Sequence, residues 1–286
     1  MILSFHPIYT ADKNIICAGR PPCHSDLEAI RQADAVILPQ GCSRALFEMA
    51  REYCHHVFPD YSVRFAYPGK MGQNRLFKRW SAPHPPTEMY SSVRRFRSIG
   101  TYLPFPLVIK LNWGGEGNTT FPAENPASLK RILDHIAAYE HSGPRGFIVQ
   151  QRIPCHNRSL RVVMIGRRVE SYWRVQPRRD RFGTALSVGA LINHDAAPQL
   201  QEAGRTAAKH LAARAGLQLA GLDYIFDARN PDMAEPLILE INYFFGRKGI
   251  GGSDRFYHLL VQQINAWLDR LKLRTGSTGH LKTETA

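Results

Sequence analysis

The sequence predicts an α+β chain whose first part is α/β, and three observations predict it. Short apolar runs alternate with helical segments through about the first 65 residues, which suits a small open parallel sheet under the right-handed crossover rule. The remainder alternates strand-like runs with two helical segments and ends in a closing helix. Two of these later runs carry charged residues among branched apolar neighbours, where an ordinary core strand carries none. In order, "MILSFHP" is a first strand and Ser25-x-x-Glu28 reads as a capping box opening a helix. "ADAVILP", Ala33 to Pro39, is a buried strand, and Ser43 caps a helix bearing Leu46, Phe47, Ala50 and Tyr53 at helical spacing. "SVRFAYP" is expected to return as a third strand.

The proline-rich "SAPHPPTEMY", Ser81 to Tyr90, marks a boundary, because proline clusters stop helices and stiffen linkers. Leu107 to Leu111 is a strand. Asn125 is the N-cap of a helix with Pro126 at its first position and Gly143 ending it; Leu129, Ile132, Leu133 and Ile136 form its buried stripe. Strands are expected at 147–153, 160–165, 169–175 and 185–192, and a helix from about 198 to 215. A hairpin follows, then a closing helix with Phe256, Leu259, Leu260, Ile264, Trp267 and Leu271 on one face. The terminal "TGSTGHLKTETA" has no core-forming pattern and is expected to be a disordered tail.

The stretch "AGLDYIFDARNPDMAEPLILEINYFFGRKGIGG" carries most of the chemistry. Asp223 sits on one apolar strand, and the second, Pro236 to Ile241, delivers Glu240 and then Asn242. Residues two apart on a strand share a face, roughly 7 Å apart. If the strands form a hairpin, three oxygen ligands converge, two of them anionic, as a Mg²⁺ site that also holds nucleotide phosphates requires. The bland alternative is a buried acid whose partner is an arginine. Upstream, "PLVIKLNWGGEGNTTF" places Lys110 on a strand ahead of Gly114, Gly115, Glu116 and Gly117. Glycines let a backbone turn tightly and present N–H groups to phosphate oxygens. It is not a P-loop, since G-x-x-x-x-G-K-[ST] is absent.

Together and in this order, these stretches resemble the ATP-grasp superfamily, particularly its RimK-like carboxylate–amine ligases, over roughly residues 70 to 272. The resemblance implies an ATP-grasp fold behind a small pre-ATP-grasp parallel-sheet domain. The expected division is 1–80 for that domain and 81–275 for the ATP-grasp domain. Within the latter, about 83–150 would be a mobile lid and 151–272 the metal and phosphate subdomain, with 276–286 as tail. It implies that Lys110 contacts the α/β-phosphates of ATP and that Gly114 to Gly117 close over the γ-phosphate. "FIVQQRIP" resembles the adenine-lining segment, which makes Gln150, Gln151, Arg152 and Ile153 nucleotide contacts. Asp223, Glu240 and Asn242 become ligands for one or two Mg²⁺, with Mn²⁺ as an alternative. The family's D-x-R strand corresponds to Ser159-Leu160-Arg161. Arg161 is then the candidate for steadying the transferring phosphoryl group or tetrahedral intermediate, and Arg174 for the acceptor carboxylate.

Some positions depart from that pattern. Gln151 stands for the usual glutamate and Ser159 for the usual aspartate, and the loop "DARNPDMAE" is longer than usual. In "RFGTALSVGALI", residues 181–192, Gly183, Ala185 and Val188 stand where acceptor-binding arginines and an asparagine are expected. The expected activity is a Mg-ATP-dependent ligase joining a carboxylate to an amine through an acyl phosphate. A kinase acting on a hydroxyl acceptor and a non-catalytic nucleotide- or partner-binding descendant are the alternatives.

Composition narrows the partners. Lysine and arginine number 37 against 24 acids, for a net charge of +13. Clusters at Arg94-Arg95-Arg97, Arg167-Arg168, Arg178-Arg179-Arg181 and Arg247-Lys248 suit solvated surface or anionic small-molecule or peptide substrates. Nucleic acid is disfavoured, because no zinc-finger, homeodomain or RNP signature appears. No apolar run approaches the ~20 residues of a membrane span, and "MILSFHPIYTADK" lacks a basic n-region, so a cytoplasmic protein is expected. Five cysteines without C-x-x-C spacing suit reduced thiols. The substrates' identity and a homo-oligomeric state stay open.

Overall fold

The computed structural model describes residues 1–115, 118–143, 145–230 and 235–273. Its first unit contains β1 (Ile2–Ser4), β2 (Lys13–Asn14), α1 (His24–Arg31), β3 (Ala35–Ile37), α2 (Arg44–Tyr53) and β4 (His56–Phe58). The four strands form an all-parallel sheet in the order β2-β1-β3-β4, as the alternation of strands and helices predicts. Ser43 caps α2 as expected, its hydroxyl accepting the Leu46 N–H at 3.2 Å. Helix α1 starts two residues earlier than expected: Cys23 rather than Ser25 is the N-cap, and its N–H donates to the Asp26 carboxylate at 2.8 Å. Asp26 wins because Arg20 holds its carboxylate in place from the other side, at 2.6 and 2.8 Å.

The expected third strand, "SVRFAYP", is instead the helix α3 (Ser62–Ala66). The Asp60 carboxylate accepts the Ser62 N–H at 2.8 Å and starts a helical turn there. The strand lies earlier, at β4, whose three residues are too short and too buried to show alternation. Helix α4 (Gly69–Arg79) follows and was not predicted.

A second, antiparallel sheet comprises β5 (Thr87–Tyr90), β6 (Leu107–Leu111), β7 (Thr120–Ala123) and β8 (Phe147–Gln151) in the order β5-β8-β6-β7. Strand β5 occupies the end of the stretch expected to be linker, beginning directly after its prolines. Helices α5 (Val93–Ile99) and α6 (Pro126–Glu140) cover one face, burying Phe96, Leu129, Leu133 and Ile136 against Leu107, Ile109, Phe147 and Val149. Asn125 caps α6 with Pro126 behind it, as expected, and the helix ends at Glu140, three residues before Gly143.

The third sheet contains β9 (Arg158–Ile165), β10 (Arg168–Val175), β11 (Leu191–Asn193), β12 (Leu219–Ile225) and β13 (Leu237–Asn242), in the order β11-β10-β9-β12-β13. Strand alternation sends Leu160, Val162 and Met164 toward helix α7 (Pro198–Ala215). Val163 and Ile165 face helix α8 (Gly252–Arg270) and the parallel sheet, through Ile2, Ile37 and Phe58. The strand expected over 185–192 shrinks to β11, because residues 186–188 form a 3₁₀ turn. The extended loop reaches into 231–234 and the tail into 274–286, both outside the described residues. Among the described residues no helix is long and apolar enough to cross a membrane, and all five cysteines are free.

Candidate functional site

Strands β12 and β13 pair antiparallel, with Asp223 directly opposite Glu240 and Gly221 opposite Asn242. The hairpin expected from the sequence therefore brings the three oxygen-bearing side chains together. The Asn242 amide donates to Asp223 Oδ2 at 3.1 Å and to Glu240 Oε1 at 3.0 Å. Strand β9 flanks β12 on its other side and sets Arg161 opposite Asp223. Arg161 grips Asp223 bidentately, Nε to Oδ1 at 2.5 Å and a terminal nitrogen to Oδ2 at 3.0 Å. Arg174, from β10, reaches Oδ1 at 2.6 Å. Gly221 leaves the room this needs, since a Cβ there would lie 3.0 Å from the Arg161 guanidinium.

These contacts decide how the acids differ. A carboxylate has about four lone-pair sites, and Asp223 already accepts two bonds from Arg161, one from Arg174 and one from Asn242. Both readings of this acid meet in one residue: it belongs to a ligand-type cluster and is also a buried partner of arginines. Burial alone would raise its pKa, but the charges of Arg161 and Arg174 and their hydrogen bonds hold it below the ordinary carboxylate range. Glu240 is less enclosed, and among the described residues Asn242 is its only hydrogen-bond donor. Two carboxylates and an amide form a hard-oxygen donor set of the kind Mg²⁺ prefers. The residues fit such an ion, with Glu240 the ligand most free to bind it and Asp223 able to do so by releasing Asn242.

Lys110 comes from β6 in the second sheet, buried beside this cluster. Its pKa falls to about 8, chiefly through burial; Glu240 and Asp223 act against the shift and Lys70 with it. Val108 and Lys110, two apart on β6, line a cavity of about 660 Å³ between the second and third sheets. Gln150, Gln151, Arg152 and Ile153 line it, with Ile225 and Leu239 opposite. Strand alternation turns Val149 into the core between the second sheet and helices α5 and α6, and Gln150 toward the cavity, where its amide donates to Thr87 at 2.8 Å. The acidic cluster lies beside this cavity rather than in its lining, joined to it by Arg174 donating to the lining residue Ser159 at 3.3 Å. The Arg174 Nε is buried with no partner among the described residues. An unmet buried donor is costly unless an acceptor arrives.

Not every predicted residue joins the group. Gly114 lies at the end of the Lys110 strand with φ +81°, and a Cβ there would meet Thr119 at 2.5 Å, so only glycine fits. Gly115 has open space around it, neither glycine lines the cavity, and Glu116 and Gly117 lie outside the described residues.

The sequence reading missed other cavity residues. Ile225 and Leu239 sit on the motif strands and were reachable by counting along them. Arg179, Phe182, Gly183 and Thr184 carry no such signal. Phe182, Gly183 and Thr184 come from the stretch read as acceptor-binding and Arg179 from just before it, yet all four form a wall of this cavity, where the Arg152 guanidinium lies 5.3 Å from the Phe182 ring centroid. Arg178 pairs instead with Asp180 on the surface at 2.6 Å.

Comparison with known proteins adds a lineage. The model of the RimK-like ATP-grasp domain matches residues 81–255, more than half of the chain. A protein of Sodalis glossinidius (strain morsitans) described as "Probable alpha-L-glutamate ligase" is 28% identical over 146 residues, 51% of this chain. That alignment spans 45% of the Sodalis protein's length. A RimK domain ATP-grasp protein from Sphaerobacter thermophilus superposes with a TM-score of 0.63 at 13% identity, covering 92% of this chain and 98% of its own. The ADP complex of an N5-carboxyaminoimidazole ribonucleotide synthetase gives a TM-score of 0.63 at 14% identity, over 98% of this chain and 72% of that one. The VanG D-Ala:D-Ser ligase of Enterococcus faecalis gives 0.58 at 16% identity, over 82% and 73%. At these identities the structures speak for the fold.

Proposed function

Because this chain belongs to the RimK-like ATP-grasp family and has the ATP-grasp fold, we propose that it is an ATP-dependent ligase joining a carboxylate to an amine. The observation that carries the proposal is the pairing of a nucleotide-sized cavity with a charged cluster at its end. Lys110 lies in the lining, and Arg161, Arg174, Asp223, Glu240 and Asn242 lie just beyond it. The apolar walls Val108, Ile225 and Leu239 suit an adenine, and the backbone of Gln150 to Ile153 suits its polar edge. The described glycine residues Gly114 and Gly115 are assigned to covering the γ-phosphate.

In the proposed reaction a substrate carboxylate oxygen attacks the γ-phosphorus and ADP leaves. The amine nitrogen then attacks the acyl carbon of the resulting acyl phosphate, loses a proton and expels phosphate. The protein's part is positioning and charge neutralisation, as in other phosphoryl transfers. Lys110 holds the α/β-phosphates, Arg161 steadies oxyanion charge, and the unmet Arg174 Nε receives a carboxylate or phosphoryl oxygen. Mg²⁺ held by Glu240, Asn242 and Asp223 would supply charge compensation for the phosphates.

Hydroxylamine added during ATP turnover with a panel of amino acids and short acidic peptides should yield hydroxamates, because it captures acyl phosphates. ATP turnover without hydroxamate, giving a stable phosphorylated product, would replace the ligase with a kinase.

Lys110 gives the site a pH signature. Phosphate contact favours the charged ammonium, so its pKa rises on binding. Nucleotide affinity should therefore be full below the free value of about 8 and fall above it, by up to about tenfold per pH unit. Lys110→Arg should flatten that fall, since guanidinium keeps its charge, and Lys110→Ala should weaken binding throughout. Titration of an ATP analogue between pH 7 and 9.5 checks this; a flat wild-type profile would remove Lys110 from the phosphates.

A further inference from the structure

Strand β13 is the last strand of its sheet, so one side of its backbone has no neighbouring strand. At Ile241, between Glu240 and Asn242, a side chain takes that neighbour's place. The Gln73 amide accepts the Ile241 N–H at 2.9 Å and donates to the Ile241 carbonyl at 2.7 Å. One residue thus makes both hydrogen bonds that a strand partner would make. In an antiparallel ladder main-chain groups alternate in direction. With Ile241 facing Gln73, the main chains of Glu240 and Asn242 face β12. The edge is closed at two more points: the Ile238 N–H donates to the Pro83 carbonyl at 2.8 Å, and the Gln40 amide donates to the Tyr243 carbonyl at 2.8 Å.

Gln73 is also well anchored. It lies on α4, whose first turn is fastened to the end of the Lys110 strand. The Met71 N–H donates to the Asn112 side chain at 2.9 Å, and the Lys70 N–H to the Asn112 carbonyl at 3.3 Å. A Cβ at Gly69 would lie 2.4 Å from that carbonyl, so α4 can approach so closely only with glycine at its start. Lys70 Nζ donates to the Gly114 carbonyl at 3.2 Å. One short helix therefore touches the glycine-loop end of the second sheet with its first turn and the Glu240–Asn242 strand with its second.

We infer that Gln73 is a positioning residue for the cation site, its amide fixing the register and pitch of β13 so that Glu240 and Asn242 present their oxygens together. This rests on the reading of Glu240 and Asn242 as cation ligands. Supporting groups around ligands commonly matter by 10–100-fold in metal affinity, and Gln73 supports two ligands through one peptide unit.

The test measures Mn²⁺ binding by electron paramagnetic resonance in the presence of a non-hydrolysable ATP analogue, on wild type, Gln73→Leu, Gln73→Glu and Glu240→Gln. Gln73→Leu removes both bonds. Gln73→Glu keeps the acceptor for the Ile241 N–H but sets a carboxylate against the Ile241 carbonyl. In Gln73→Leu, Mn²⁺ affinity should fall by about tenfold or more, and the apparent KM for Mg²⁺ should rise in step. KM for ATP at saturating metal should stay within about twofold, and Gln73→Glu should behave similarly. A purely structural role would lower stability without separating the metal from the nucleotide. Full Mn²⁺ affinity in both folded Gln73 variants, with binding lost in Glu240→Gln, overturns the role of Gln73 alone. Full affinity in all three variants overturns it together with the cation site.

Discussion

Glu240→Gln should reduce Mg²⁺-dependent ATP turnover at least about 100-fold while leaving the melting temperature close to that of wild type. A catalytic cation supplies several kcal/mol of charge stabilisation, and each ~1.4 kcal/mol is a factor of ten in rate. Glutamine has nearly the same shape, so no cavity forms, and it can still meet the Asn242 amide with its carbonyl. Glu240 has no arginine partner among the hydrogen bonds and ion pairs of the described residues, and the buried lysine it supports, Lys110, has a pKa of only about 8 and can shed its proton when that charge is removed. Steady-state rates against Mg²⁺ concentration and a thermal melt measure both halves. Near-normal turnover in a folded variant would take Glu240 out of the cation site.

Asp223→Asn should do the opposite to stability. Its carboxylate is the shared counter-ion of Arg161 and Arg174, and all three side chains are largely withdrawn from water. Removing one member of a buried ion pair strands the other, at a cost on the order of 3–5 kcal/mol. The variant should melt well below both wild type and Glu240→Gln at pH 7. The wild type should show the same dependence with acid. Because Arg161 and Arg174 hold the Asp223 pKa below its ordinary value, the stability it contributes is present above about pH 4 and drains away as pH falls further. Calorimetry at pH 7 for the three proteins, and for wild type down to pH 3, tests this. Equal melting temperatures for the two variants would mean that the arginines find other partners.

The contrast between these two acids shows what the sequence could and could not disclose. That Asp223, Glu240 and Asn242 would meet was legible, because a period-two strand and an antiparallel turn leave little choice. The parallel arrangement of the first sheet and the bounds of α7 were equally legible from patterning. Which acid would be occupied by arginine was not, because Arg161 and Arg174 arrive from β9 and β10, distant in sequence and set beside β12 by sheet order alone. The same holds for α4. Its sequence, "GKMGQNRLFKR", has two glycines and little apolar periodicity, and its place is decided by contacts with Asn112 and Ile241. The helix α3 was mistaken for a strand because residues 63 and 65 alternate with polar neighbours, and the Asp60 hydrogen bond that settles the matter is a single local contact. Local patterning gave the elements, and long-range pairing gave the electrostatics.

Closure of the β13 edge also bears on how copies of this protein can meet. An unpaired strand edge is a template for joining another chain, and proteins blunt such edges to avoid aggregation. Here Pro83, Gln73 and Gln40 occupy the hydrogen-bonding positions from Ile238 to Tyr243, so the side of the sheet that carries Glu240 and Asn242 cannot be lengthened by a neighbour's strand. The sheet ends on its other side at β11, only three residues long, where a matching strand would gain little pairing. Self-association by continuous β-pairing through this sheet is thus disfavoured at both ends, and at one of them by the same amide that we infer positions the cation ligands.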